Sequence, residues 1–151
     1  GQLLGYICQR PDKEIRQGPD VLWCTASKKY ILIECKTEVL LARKSISKSE
    51  AGQMEEHCAW FEATYGEDTL FEPILVIPTE RLEKDAYFSH DTKVLKKEGL
   101  VNLKKQIRDF FKEFKKFDFS GLDADLINQK LVAHNLHNDQ FLQKFVVSPQ
   151  K

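Results

Sequence analysis

The chain has 151 residues, 42% hydrophobic and 30% charged, a balance that suits one folded domain and excludes a wholly disordered chain. Lys and Arg total 23, as do Asp and Glu, so a net charge of zero removes the bulk-charge argument for nucleic-acid binding. No apolar run reaches the roughly 18 residues of a membrane span, and Gly1-Gln2-Leu3-Leu4-Gly5 carries no basic n-region and no h-region. No membrane partner and a cytoplasmic location are therefore expected.

Residues 3–9 read as a strand, and the polar stretch 10–18, with Pro11 and Gly18, as a turn region. A second strand is predicted over 20–25 and a third over 30–36, whose apolar run on both faces suits a central place in a sheet. The tight polar link Ser27-Lys28-Lys29 makes these two antiparallel neighbours. The period then changes. Ala51, Met54, Cys58, Phe61 and Tyr65 form one helical stripe over 49–65, with Ser49 as the expected N-cap and Gly66 just past the end. Residues 73–78 form a short apolar strand bracketed by prolines, which a helical crossover makes parallel to an earlier strand.

After Pro78 the signals turn helical. Leu100, Leu103, Ile107, Phe110, Phe111, Phe114 and Phe117 make an apolar stripe, read as core over the sheet or over helix 49–65. The lysine-rich opposite face is either a solvated face or the lining of a DNA path. Ser120 with Asp123 opens a helix through about His134, and Asp139 caps a last short one. The expected class is α/β: a mixed sheet flanked by helices over 1–78 and a C-terminal helical extension over 79–151, packed as one structural domain.

The zero charge hides a pattern of +4 over 1–49, −9 over 50–91, +6 over 92–116 and −1 over 117–151. Cys8, Cys24, Cys35 and Cys58 are spaced 16, 11 and 23 apart, without a C-x-x-C pair. They read as reduced core residues rather than a zinc site.

One constellation carries chemistry. Side chains alternate along a strand, so Glu34 and Lys36 share a face, and the hairpin brings Asp20 to the same sheet edge. The oxygens of Asp20 and Glu34, with the backbone carbonyl of Cys35, suit Mg²⁺. Such an ion polarises a phosphate and activates water. Lys36 suits orienting that water and offsetting charge on phosphorus. E-x-K or P-D alone is weak, being ordinary strand-end and turn chemistry. The ordered ensemble of Gly18-Pro19-Asp20, strand, turn, Ile33-Glu34-Cys35-Lys36-Thr37 and a helix with Gln53 is more specific.

That ensemble resembles the PD-(D/E)xK, restriction-endonuclease-like superfamily over about residues 3–78. Residues 10–23 and Ser47-Lys48-Ser49-Glu50 through Gln53 look like nuclease domains attached to bacterial DEAD/DEAH-type helicases. The resemblance implies metal binding by Asp20 and Glu34, catalysis by Lys36 and support from Gln53. It also implies Mg²⁺, with Mn²⁺ as an alternative, and DNA as substrate, with RNA the alternative. The superfamily core opens with a helix before the first strand, whereas this sequence starts at the strand. An excised domain of a larger, helicase-like protein is therefore expected.

Arg43 and Lys48, ahead of the helix, are candidate phosphate contacts, beside the plainer reading of solubilising charges. His57, one turn after Gln53, reads as a surface histidine rather than a catalytic one. Glu14 is set aside as a ligand, and Trp23 and Trp60 as packing residues. His90, His134 and His137 have no ligand spacing. The rival to a nuclease is a catalytically degenerate module that binds nucleic acid or a partner.

Overall fold

A computed structural model describes residues 1–36, 43–66, 68–116 and 123–151. Residues 1–96 with 147–151 form one compact unit and residues 97–146 another. The division thus falls after Lys96, not after residue 78, because residues beyond Pro78 complete the sheet. Among the described residues no helix is long and apolar enough to cross a membrane.

The first unit is α/β. Its strands are β1 (Ile7–Gln9), β2 (Val21–Ala26), β3 (Lys29–Cys35), β4 (Leu70–Val76) and β5 (Lys93–Leu95). They lie in the order β1-β2-β3-β4-β5, antiparallel as far as β3 and parallel from β3 to β5. A one-turn helix α1 (Pro11–Glu14) sits inside the expected turn region, with Pro at its start. The long helix α2 (Lys48–Tyr65) makes the crossover between β3 and β4. The hairpin, its antiparallel sense and the parallel return all agree with the periodicity. Only a 3-10 turn, Gln2–Leu4, precedes β1.

Two boundaries differ from expectation for local reasons. Helix α2 is capped by Ser47, not Ser49: Glu50 N–H donates to Ser47 Oγ, and Glu50 Oε2 accepts from Ser47 N–H at 2.9 Å, a reciprocal capping box. Ser49 has Gly52 three residues on and cannot form that box. The strand after the crossover starts at Leu70 rather than Pro73, with Pro73 inside it. In this register Lys36 N–H donates to Val76 O, so even-numbered residues of β4 bond to β3 and odd ones face β5. Strand β5 begins opposite Ile74, so the missing N–H of Pro73 falls where no ladder partner is needed.

One sheet face packs on α2. Phe61 of α2 is fully buried against Leu22 and Leu32, with Tyr30, Tyr65 and Phe71 around it. Met54 and Cys58 pack with Ile46, Leu75, Ile77 and Val94. Burying side chains of this size at roughly 1.5–3 kcal/mol each is what holds the helix to the sheet. Strand β5, where helix was expected, carries only three residues, but Val94 also exchanges two backbone hydrogen bonds with Val147. Of the four free cysteines only Cys58 is buried; Cys8, Cys24 and Cys35 are half-buried, so a core role holds for one.

The second unit holds α3 (Lys97–Glu113), α4 (Ala124–Ala133) and α5 (Asn138–Phe145). Leu103, Phe110 and Phe114 of the expected stripe are buried, whereas Leu100 and Phe111 are each 40% exposed. Phe117 and Ser120 lie outside the described residues. Asp123 caps α4, and α5 begins at Asn138, so Asp139 falls inside its first turn rather than at the cap. On the lysine face, Lys105 and Lys112 both pair with Asp109 of the same helix.

Gly18 sets the entry to β2. Its φ of +79° lies in the left-handed region, and a Cβ there would stand 2.6 Å from the Trp60 ring. Gly52, mid-helix in α2, has open space around a Cβ. Gly18→Ala is expected to cost about 2 kcal/mol or more, and Gly52→Ala to add about 1 kcal/mol. Urea unfolding of the two variants checks both signs.

Candidate active site

The site forms at the C-terminal end of β3, where the two-sided pairing of that strand changes. Val21 pairs with Ile33, so a continued β2 would place Pro19 opposite Cys35. Pro19 has no N–H, and β2 starts two residues later. The Cys35 N–H, left without a strand partner, donates instead to Asp20 Oδ2 at 2.7 Å. The N–H and C=O of one strand residue leave on the same side, so the Cys35 carbonyl also faces the Asp20 edge.

Glu34 points to the other side of the chain, onto α2, and is 5% exposed. Its Oε1 accepts from Lys36 Nζ at 2.9 Å and from Gln53 Nε2 at 2.9 Å. Lys36 Nζ also donates to Gln53 Oε1, closing a three-membered ring of side chains. On the other oxygen, Oε2, the Asp20 N–H donates at 3.4 Å and His57 Nε2 lies 3.2 Å away. His57 Nε2 is buried without an aligned hydrogen bond, so its contact with Glu34 is one of close approach. Asp20, Glu34, Lys36 and Gln53, the residues singled out from sequence, are thus brought together. His57, read as a surface histidine, joins them with a side chain only 14% exposed. Its signal was the spacing of four from Gln53 on one helix face.

Burial alone pushes the Glu34 carboxyl up. The close approach of His57 and the hydrogen bond and charge of Lys36 outweigh that and hold it at about 2. Burial, with the negative charge of Asp20 and Glu34, pushes the Cys35 thiol up to about 11. Cys35 therefore stays protonated and serves through its backbone.

The donor set suits a hard cation. Asp20 and Glu34 offer carboxylate oxygens and Cys35 a carbonyl, and Mg²⁺ is commonly held by one or two carboxylates with several waters. Among the described residues no group of three or more His, Cys, Asp or Glu side chains is placed to hold a metal ion.

The other expected contacts stand differently. Arg43 is engaged: its guanidinium meets Glu50 Oε1 at 2.7 Å and donates from Nε to Ser45 O at 2.9 Å, bracing the start of α2. Lys48, in the first turn of α2, is exposed. Glu14 Oε1 accepts from Arg10 N–H at 3.0 Å and so caps α1. Trp60 packs against Tyr65, and Trp23 against Tyr6. His90 lies between two α2 carboxylates, 3.0 Å from Glu55 and 3.3 Å from Glu62, which ties the segment before β5 to the helix. Comparison with protein-family models, curated proteins and solved structures found no match.

The lowered Glu34 acidity has a testable sign. A carboxyl whose folded pKa lies below its unfolded value of 4.5 contributes stability above 4.5 and loses it as pH falls toward 2. Urea unfolding of the wild type and Glu34→Gln is expected to show a stability gap that narrows by about 2 kcal/mol between pH 6 and pH 3. A gap independent of pH would contradict this environment for Glu34.

Proposed function

We propose that the chain is a metal-dependent nuclease domain of the PD-(D/E)xK, restriction-endonuclease-like type, hydrolysing DNA phosphodiester bonds. The observation that carries the reading is the Lys36 ammonium held jointly by Glu34 and Gln53, beside an Asp20 that is locked to the Cys35 N–H. The antiparallel β2–β3 pair followed by a parallel crossover through α2 supports the fold side of it.

In this reading Asp20, Glu34 and the Cys35 carbonyl hold Mg²⁺, or Mn²⁺ in its place. The chemistry such an ion supplies when bound is polarisation of a phosphoryl oxygen and activation of water. Lys36 orients the attacking water and offsets charge gathering on the phosphate. Gln53 fixes the ammonium, and Glu34 keeps it charged and in place. The described site residues include no base-reading group, which favours cleavage directed by DNA structure or ends. A net charge of zero implies weak non-specific affinity, with DNA, or alternatively RNA, delivered by the rest of a larger, helicase-like protein.

One observation favours the degenerate binding module instead: both Glu34 oxygens are already engaged, by Lys36 and Gln53 on one side and by the Asp20 N–H, with His57 close by, on the other. A plasmid-nicking assay separates the two. The nuclease reading expects cleavage with Mg²⁺ or Mn²⁺, none with EDTA, and a loss of about 100-fold or more in Lys36→Ala. Absence of DNA and RNA cleavage by the wild type under every divalent metal tried would leave the binding module.

A further inference from the structure

The two oxygens of Glu34 are held by different means. Oε1 receives Lys36 and Gln53, a strand partner and a helix partner. Among the described residues, Oε2 has the longer contact from the Asp20 N–H and the nearby His57 ring. The terminal torsion of a glutamate is broad, so a carboxylate gripped at one oxygen alone can turn about its own axis. The buried Nε2 of His57 lies 3.2 Å from Glu34 Oε2, close to but not aligned for a hydrogen bond, and has no other partner among the described residues.

We propose that His57 is a positioning residue for Glu34. With Gln53 one helical turn away on α2, it fixes the carboxylate from both oxygens and keeps Glu34 and Asp20 aligned as a cation-holding pair. This deepens the metal-dependent reading above and rests on it. Partners that orient a metal-holding carboxylate typically contribute 10–100-fold in metal affinity.

The test reads Mn²⁺ binding directly, by electron paramagnetic resonance on the full chain without nucleic acid, alongside thermal unfolding and plasmid nicking. His57→Phe keeps the ring volume and removes both nitrogens; His57→Gln places an amide N–H near the position of Nε2. The expected result is Mn²⁺ affinity weakened about tenfold or more in His57→Phe and restored to within about threefold in His57→Gln, with both variants folded. Unchanged affinity in His57→Phe, equal weakening in both variants, or a wild type that binds no Mn²⁺ overturns the proposal. The two readings fail separately. Mn²⁺ binding that depends on His57 without any cleavage removes the nuclease and keeps the positioning role. Metal-dependent cleavage with both variants at wild-type Mn²⁺ affinity does the reverse.

Discussion

A single buried carboxylate organises this end of the molecule. Glu34 sits at the last turn of a central strand, almost free of solvent, and an ionised carboxylate in such a place is costly unless donors surround it. Its surroundings answer that cost from three elements: Lys36 from its own strand, the Asp20 backbone from the mouth of β2, and Gln53 with His57 from α2. Truncating Lys36 would leave the negative charge under-compensated, whereas removing Glu34 would leave an ammonium and a glutamine oxygen facing each other with no acid between them.

The sheet topology explains why these elements meet there. Strand β3 is antiparallel to β2 on one side and parallel to β4 on the other. Its C-terminal end therefore lies beside the start of β2 and the end of β4 together. Pro19 ends the β2 ladder one pair early, which frees the Cys35 N–H for Asp20. The helix that returns the chain to β4 must cross this same face, and its Ser47–Glu50 box and Arg43 brace fix where it starts. The placement of Gln53 over Glu34 follows from that starting point and the helical rise.

Much of this was legible in the residues, for physical reasons that also mark where legibility stops. Strands β2 and β3 and helix α2 are long and periodic, so apolar spacing alone locates them. Strand β5, with three residues, and α1, with four, are too short to show a period, and they form because neighbours supply their partners. Pro73 misled the start of β4 because its tolerance depends on where β5 begins, a tertiary fact. In the site, Asp20, Glu34 and Lys36 were visible through strand alternation. The value of His57 was not, because a helix period says which residues share a face but not which carboxylate lies beneath it. For Arg43 the limit is similar: a basic residue near a site reads as available, and only the geometry of the helix cap shows that it meets Glu50 and Ser45.

The charge balance, uninformative as a total, becomes informative at the site. Asp20 and Glu34 carry two negative charges against the one positive charge of Lys36, and Arg43 is spent on Glu50. Counting these named residues alone, the carboxylates outnumber the ammonium, and a polyanion approaching them meets like charge. Lys36 cannot relieve this alone, since Glu34 and Gln53 already share its protons. The proposed chemistry on a phosphodiester therefore demands an added cation at this place, for which an Asp20 oxygen and the Cys35 carbonyl beside it are the candidate donors.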